Sequence, residues 1–329
     1  MSALDTALIR ALRSAEVHLP AGEIAGLLHS TPGAVTAGVA GLREAGFEIE
    51  DRPGLGLRLL ASPDRLIADD LRARLGPSRF IRDLLVFEET DSTNERAAHL
   101  GRGGARGGVA IFAERQTAGR GRFGRRWESA AHLGVWFSIL LRPTLPLAQW
   151  PRLTTWAAVA LAHAIEAALP VRATIKWPND VLIDGRKVAG ILIETGVDQS
   201  NEPFAVVGIG VNVNHESEHF PEDLRDRATS LRLAARREVP RPAFATTALR
   251  ELETWFARID SAFPDILAEA SRRSSLLGNW IAVRAGDGVI EGLAETLDDG
   301  GQLLMRTADG ALHTLGAGEV TVLPRDSAK

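Results

Sequence analysis

The stretch from Lys176 to Val213 most constrains what this chain can fold into. V-L-I is followed by a turn at Asp184-Gly185, V-A-G-I-L-I-E alternates back, and Phe204 to Val213 reads as a further strand. Strand follows strand with no helix between, so a sheet built of parallel βαβ units is not indicated and an α+β class is expected. Gly208 and Gly210 sit inside the last strand. They suggest close backbone approach to a ligand rather than a Rossmann turn, since no helix start follows them.

A second stretch, Glu114 to Trp127, reads E-R-Q-T-A-G-R-G-R-F-G-R-R-W and follows an apolar strand at Val109 to Ala113. Gly119, Gly121 and Gly124 alternate with Arg120, Arg122, Arg125 and Arg126. Arginine offers a fixed fork of donors to phosphate, and glycine lets backbone N–H groups approach an anion unobstructed. The segment reads as a loop that closes over a phosphorylated or adenylated ligand. A solvated basic loop or a nucleic-acid-binding tract is the plainer alternative. Gln116 and Trp127 frame the run, and for both of them packing and ligand contact stay open.

A-G-R-G-R-F-G-R-R-W resembles the adenylate-binding loop of biotin protein ligases. K-W-P-N-D-V-L-I-D-G-R-K-V-A-G-I-L-I-E, Lys176 to Glu194, is similar to that family's second signature, and the pairing of two long motifs is highly specific. The resemblance covers nearly the whole chain. It implies an α+β multidomain fold: a winged helix-turn-helix at 1–64, a class II synthetase-like mixed-sheet ligase domain at 65–274, and an SH3-like β-barrel at 275–329.

The chain's own texture agrees with that order. Leu4, Leu8, Ile9 and Leu12 have helical spacing, Ile24 to Leu28 marks a second helix, and Thr31-Pro32 opens a third that ends at Gly46. Phe47 to Leu60 alternates around a Pro-Gly turn like a β-wing, and Arg65 to Leu75 reads as a linker helix opened by Ser62-Pro63-Asp64. D-S-T-N precedes an alanine-rich helix, where capping is the commonest meaning. Leu153 to Leu169 is a buried helix, His215 to Ala228 a polar loop, and Ala243 to Phe263 one further helix. From Gly278 short strands alternate with glycine turns.

Length and composition bound the rest. A chain of 329 residues suits two or three domains, and the absence of cysteine excludes disulfides and thiolate chemistry. No membrane-spanning run and no signal peptide is visible, so a cytoplasmic location with no membrane partner is expected. The net charge of −4 argues against non-specific coating of nucleic acid. Of 38 basic residues only Lys176, Lys187 and Lys329 are lysine, so two of three fall within one motif. Either a compact, mobile ammonium is wanted there or the placement is chance.

The reaction the resemblance implies joins biotin and ATP into biotinyl-AMP, then passes biotin to a lysine of a biotin carboxyl carrier protein. Lys187 matches the family lysine that bridges the biotin carboxylate and the α-phosphate, and Arg122 would act with it. Ser92, Thr93 and Asn94 match the residues that hold the ureido ring, where hydroxyls and an amide supply both donors and acceptors. Ligand-binding positions extend to Gln116, Gly119, Arg120, Gly121, Trp127, Lys176, Asn179, Asp180, Gly190, Gly208 and Asn212. No dedicated metal site is expected, with Mg²⁺ placed near Asn179 or Asp180. Further implied partners are biotin operator DNA and a second copy in a homodimer paired through sheet edges.

Two other readings stand beside this one: a lipoate or octanoate ligase of the same superfamily, and a transcription factor whose ligase-like core only senses a ligand. The complete loop and Lys187 favour the enzyme, and G-R-G-R beside K-W-P-N-D favours biotin. The amino-terminal segment argues against tight DNA binding. Its third helix, T-P-G-A-V-T-A-G-V-A-G-L-R-E-A-G, has Arg43 as its only cation, and residues 1–65 hold six arginines against eight acids.

Overall fold

The computed structural model describes residues 3–285 and 288–323, so Lys329 and the side chain of Leu4 lie outside the described residues. The chain divides into two compact units, one running to Ser78 and joined by Pro240–Thr246, the other formed by Arg79–Val239 and the chain from Thr247 onward.

In the first unit α1 (Ala3–Ser14), α2 (Ala21–Leu27) and α3 (Pro32–Glu44) precede an antiparallel hairpin of β1 (Glu48–Arg52) and β2 (Gly56–Ala61), and α4 (Ala68–Leu75) follows. Leu8, Ile9, Leu12, Ile24, Val35, Val39, Leu42, Phe47, Ile49 and Leu57 form its core. The Thr31 hydroxyl accepts from the Ala34 N–H at 3.2 Å and Pro32 occupies the first turn, so α3 starts where its cap and proline direct. At Gly38 a Cβ would lie 2.8 Å from Leu8 Cδ2, which is why α3 can lie close on α1. The linker helix starts at Ala68 rather than Arg65. Asp64 is drawn away from it: its carboxylate accepts from the Arg241 backbone N–H at 2.6 Å and from Arg241 Nε at 3.1 Å. Arg241 is fully buried and opens α8 (Arg241–Phe256), so Asp64 serves that helix instead.

The second unit is built on a seven-stranded mixed sheet. Its strands are β3 (Asp83–Thr90), β4 (Val109–Gln116), β5 (Gly134–Leu141), β6 (Ala173–Lys176), β7 (Asp180–Ile183), β8 (Arg186–Val197) and β9 (Pro203–Asn212), in the order β3-β4-β5-β9-β8-β7-β6. Every neighbouring pair is antiparallel except β3 and β4, which are parallel and joined by α5 (Thr93–Arg102). One βαβ unit is therefore present at the edge of an otherwise antiparallel sheet. The alanine-rich α6 (Arg152–Ala168) is almost wholly buried, and Trp156 is core, its Nε1 donating to the Leu252 carbonyl at 3.1 Å. A short helix unforeseen in the sequence, α7 (Leu231–Ala235), is capped by the Ser230 hydroxyl.

The single helix expected over Ala243 to Phe263 is two. α8 ends at Phe256, and α9 (Phe263–Arg272) begins with Pro264 in its first turn, because proline cannot continue a helix yet is at home in a new one. Behind it Arg273, 3 % exposed, donates to Glu166 at 2.6 and 2.8 Å and to Glu269 at 2.6 Å, while its carbonyl accepts from Ile175 at 2.8 Å. This network ties α6, α9 and β6 together just before Lys176. Replacing Arg273 by leucine takes the cation from Glu166 and leaves Glu269 to Arg272 and His163, and we expect a loss of about 1–3 kcal/mol, read as a lower thermal midpoint. Arg272 above all, then Arg273 and His163, hold the Glu269 carboxyl at about 2. A depressed carboxyl stabilises the fold above its unfolded value and loses that effect as pH falls toward the folded one, so this contribution should fade from about pH 4.5 downward.

The C-terminal strands β10 (Trp280–Ala285), β11 (Gly288–Leu297), β12 (Leu303–Arg306), β13 (Leu312–Leu315) and β14 (Glu319–Val322) form an antiparallel sheet ordered β13-β12-β11-β10-β14. Its core of Leu276, Ile281, Val283, Ala294, Leu303 and Met305 includes Trp177, whose Nε1 donates to the Gly301 carbonyl at 3.1 Å. The tryptophan of K-W-P-N-D thus packs against the C-terminal sheet. Among the described residues no helix is long and apolar enough to cross a membrane.

Candidate active site

One cleft gathers Ser92, Thr93, Asn94, Gln116, Arg120, Gly121, Arg122, Trp127, Asn179, Lys187, Gly190 and Gly208, with Ile191, Leu192, Ile209 and Gly210 completing its wall. Its floor is the middle of β8 and β9, its rim the loop after β4, and its end the start of α5.

At that end a polar network is set into the sheet. Ser92 holds the cap position of α5 but makes no side-chain cap bond. Gln116 takes over: its Oε1 accepts from the Thr93 N–H at 2.8 Å, and its Nε2 donates to Ser129 Oγ at 2.9 Å. The Ser138 hydroxyl, wholly buried on β5, bridges Thr93 Oγ1 at 2.7 Å and Asn94 Oδ1 at 2.6 Å. Asn94 Nδ2 donates to Glu194 at 2.6 Å. D-S-T-N is therefore more than a capping segment, since its Thr93 and Asn94 side chains are oriented by partners on three different strands.

The glycines of the floor are explained by the protein's own side chains. A Cβ at Gly208 would stand 2.1 Å from Asn94 Oδ1, and one at Gly210 would stand 2.6 Å from the Trp127 ring. Gly190 takes the same ring from the neighbouring strand, with a Cβ there 2.8 Å from it. Trp127 thus lies flush on two strands while it also lines the cleft, so packing and site position coincide in one residue. Trp127 meets Trp136 edge-on with centroids 6.1 Å apart, Trp136 meets His215 at 5.7 Å, and His215 stacks on Phe220 at 5.2 Å. Burial pushes His215 down to about 4, with His219 adding to the effect, so its ring is neutral at pH 7.

The cationic end lies across the floor. Lys187 Nζ stands 2.6 Å from Asp180 Oδ1 and 5.1 Å above the Trp127 ring. That contact is an ion pair in distance but not in hydrogen-bond angle, since Asp180 Oδ1 is buried without a hydrogen bond among the described residues. Arg122 Nη1 donates to Asn179 Oδ1 at 3.0 Å, and Asn179 Nδ2 donates to the Ile191 carbonyl at 2.9 Å. Burial draws the Arg122 guanidinium below its ordinary value while Asp180 opposes the shift. The loop closes in a tight turn whose outer residues, 123–126, are exposed: Gly121 N–H donates to the Arg125 carbonyl at 2.7 Å, and Phe123 and Gly124 have φ of 57° and 71°. Arg120 is spent within the protein, on Glu194 at 2.9 Å and Glu95 at 3.4 Å.

Four expected positions stand off the cleft wall. Gly119 lies beneath it, where a Cβ would be 2.5 Å from the Trp127 carbonyl oxygen. Lys176 lies within electrostatic reach of Glu319 in the C-terminal sheet and helps hold that carboxyl below its ordinary value, after Arg125 and Arg284. Asp180 backs Lys187, and Asn212 spends its amide on the Thr229 carbonyl at 3.1 Å. Ser138 and Glu194 were not foreseen. A lone hydroxyl within the apolar run G-V-W-F-S-I-L-L was the available signal for the first, and Glu194 closes the second motif. No group of three histidine or carboxylate side chains suited to a metal occurs among the described residues.

Residues 86–214 match the biotin/lipoate A/B protein ligase family, and residues 276–323 match the biotin protein ligase C-terminal domain. A bifunctional ligase/repressor BirA of Bacillus subtilis is 36% identical over 270 residues, 82% of this chain and 83% of that protein. The chain belongs to the biotin protein ligases. A biotin–[acetyl-CoA-carboxylase] ligase of Mycobacterium tuberculosis is 34% identical to this ligase over 266 residues, covering 79% of this chain and 95% of that one. The biotin protein ligase of Aquifex aeolicus, solved with biotin and ATP, superposes on the ligase with a TM-score of 0.63 at 30% identity, over 74% of this chain and 99% of that chain.

Proposed function

We propose that this ligase activates biotin with ATP as biotinyl-5′-AMP and transfers it to a lysine of a biotin carboxyl carrier protein. The observation that carries this reading is the polarity of the cleft: hydroxyl and amide groups at Ser92, Thr93 and Asn94 lie by Gly208, and Lys187 and Arg122 lie by Trp127 and Asn179. The first set offers donors and acceptors to a ureido ring, and the second offers positive charge to a carboxylate brought against phosphate. In the first step a biotin carboxylate oxygen attacks the α-phosphorus and pyrophosphate leaves. In the second the carrier amine attacks the acyl carbon, AMP leaves and the nitrogen loses a proton. Lys187 is a point charge on a flexible stem, able to follow the oxygen through both steps, with Arg122 closing from the loop.

Mg²⁺ fits as a companion of ATP. Asp180 is the carboxylate beside the cationic end, but its Oδ1 already faces Lys187 Nζ at 2.6 Å, so the metal would be carried mainly by the phosphates and by water. When bound it would neutralise charge on the phosphates.

The domain reading is 1–64 winged helix-turn-helix, 65–274 ligase domain, and 275–329 SH3-like domain. Three helices with a hairpin support the first, and five short antiparallel strands support the last. Beyond Gly190 the outer side of β8 is not covered by β7, which supports edge-to-edge pairing with a carrier or a second copy in a homodimer. Pyrophosphate exchange into ATP with biotin, with lipoate and with neither tests the ligase reading. Exchange with lipoate alone, or with none of them, would overturn it.

For the repressor role a specific observation favours weak DNA binding. Arg43, the cation of α3, spends its guanidinium on the Ile49 carbonyl at 2.7 and 3.2 Å, and Arg52 pairs with Glu50 at 2.9 Å. Operator binding then falls mainly to exposed residues such as Arg58 in the wing. Fluorescence anisotropy of the adenylate-bound ligase on its own biotin-operon promoter should show no tight complex at physiological salt, whereas sequence-selective, tight binding would refute this.

A further inference from the structure

The loop that carries Arg122 is tied not only to the ligase sheet but also to the C-terminal one. Arg125 Nη2 lies 2.5 Å from Glu319 Oε1 on β14. Glu319 stands directly opposite Arg284 in the antiparallel pairing of β14 with β10, and Lys176 adds a third positive field at the same carboxylate. The backbone there has no slack: a Cβ at the preceding Gly318 would fall 2.4 Å from Val283 Cγ1. Two of the three cations, Arg284 and Lys176, sit on strands, and only Arg125 sits on a loop. Without the carboxylate the three repel one another, and the loop is the part able to yield.

We propose that Glu319 is a positioning residue for the ligand-closing loop: from the C-terminal sheet it holds Arg125, and through the turn that joins Arg125 to Gly121 it sets where Arg122 stands over the cleft. The turn that transmits this has three amide hydrogen bonds, Gly121 to the Arg125 carbonyl at 2.7 Å, Trp127 to Gly119 at 3.0 Å and Arg125 to Arg122 at 3.2 Å. The ion pair is solvent-exposed, its side chains 62% and 44% accessible, so its effect is moderate and sensitive to salt. This gives the C-terminal sheet a part in ATP retention, a consequence that rests on the ligase reading above.

The test is hydrogen exchange on the full, ligand-free chain, which needs no activity. In Glu319→Gln the amides of Gly121, Arg125 and Trp127 should exchange about two- to fivefold faster, the range an exposed pair supports, while β10 to β12 keep their protection. In an Arg125→Gln background, Glu319→Gln should add little further acceleration, because the effect passes through Arg125. Molar salt should speed the loop in the unsubstituted chain and, by screening the repulsion among Arg125, Arg284 and Lys176, should narrow its difference from Glu319→Gln. In parallel, the KM for ATP in pyrophosphate exchange should rise by a similar factor with kcat within about twofold. Unchanged loop exchange in Glu319→Gln, or equal acceleration throughout the C-terminal sheet, would overturn the proposal. A chain that forms no acyl-adenylate would sink the ligase reading, and the loop exchange would still decide whether Glu319 holds the loop.

Discussion

Lys187→Met should reduce biotin-dependent pyrophosphate exchange on the order of a hundredfold or more while leaving thermal unfolding within a few degrees. Lys187 Nζ stands between Asp180, at 2.6 Å, and the face of Trp127, at 5.1 Å. Its side chain is one-third accessible, so it is a cleft group rather than part of the core. Removing a positive charge that meets charge building up between carboxylate and phosphate typically costs a few kcal/mol in the transition state. Arginine is a poor substitute, because its planar fork cannot track the reacting oxygen as an ammonium can. Exchange at the normal rate in Lys187→Met would remove this residue from the mechanism.

Gly208→Ala should damage biotin binding more than its one methyl group suggests. The new Cβ would stand 2.1 Å from Asn94 Oδ1, so Asn94 must leave its place. With it go the bond to Glu194 at 2.6 Å and the bond from the buried Ser138 hydroxyl at 2.6 Å. Ser138 keeps Thr93 and Glu194 keeps Arg120, so the cost lies in the displaced Asn94 and in the overpacked strand, together about 1–3 kcal/mol. Calorimetry should show biotin affinity falling by about a hundredfold, with a thermal midpoint several degrees lower. Biotin affinity within threefold of the unsubstituted chain would mean that Asn94 is a scaffold residue only.

How much of this was legible beforehand follows from the range of each interaction. The hairpin of β7 and β8, the caps of α3 and the short strands after Gly278 are local patterns, and they stand where periodicity and turn residues put them. Twelve of the sixteen expected site residues line one cleft. Most of the misses are long-range. Nothing near Asp64 shows that its carboxylate will be taken by Arg241, and nothing in K-W-P-N-D shows that Trp177 will enter the C-terminal core. The glycines of β9 were visible as places of close approach, but the sequence did not disclose that Asn94 and Trp127 are what approaches. The break between α8 and α9 is signalled locally by Pro264, but apolar residues continue across it and mask the stop.

The most direct test of the whole account is a mass measurement on the purified chain incubated with biotin and magnesium ATP, then with a biotin carboxyl carrier domain. The account predicts biotinyl-5′-AMP in the first sample and a carrier heavier by one biotin, on a single lysine, in the second. An adenylate that forms with lipoate but not with biotin, or no adenylate with either, would contradict it.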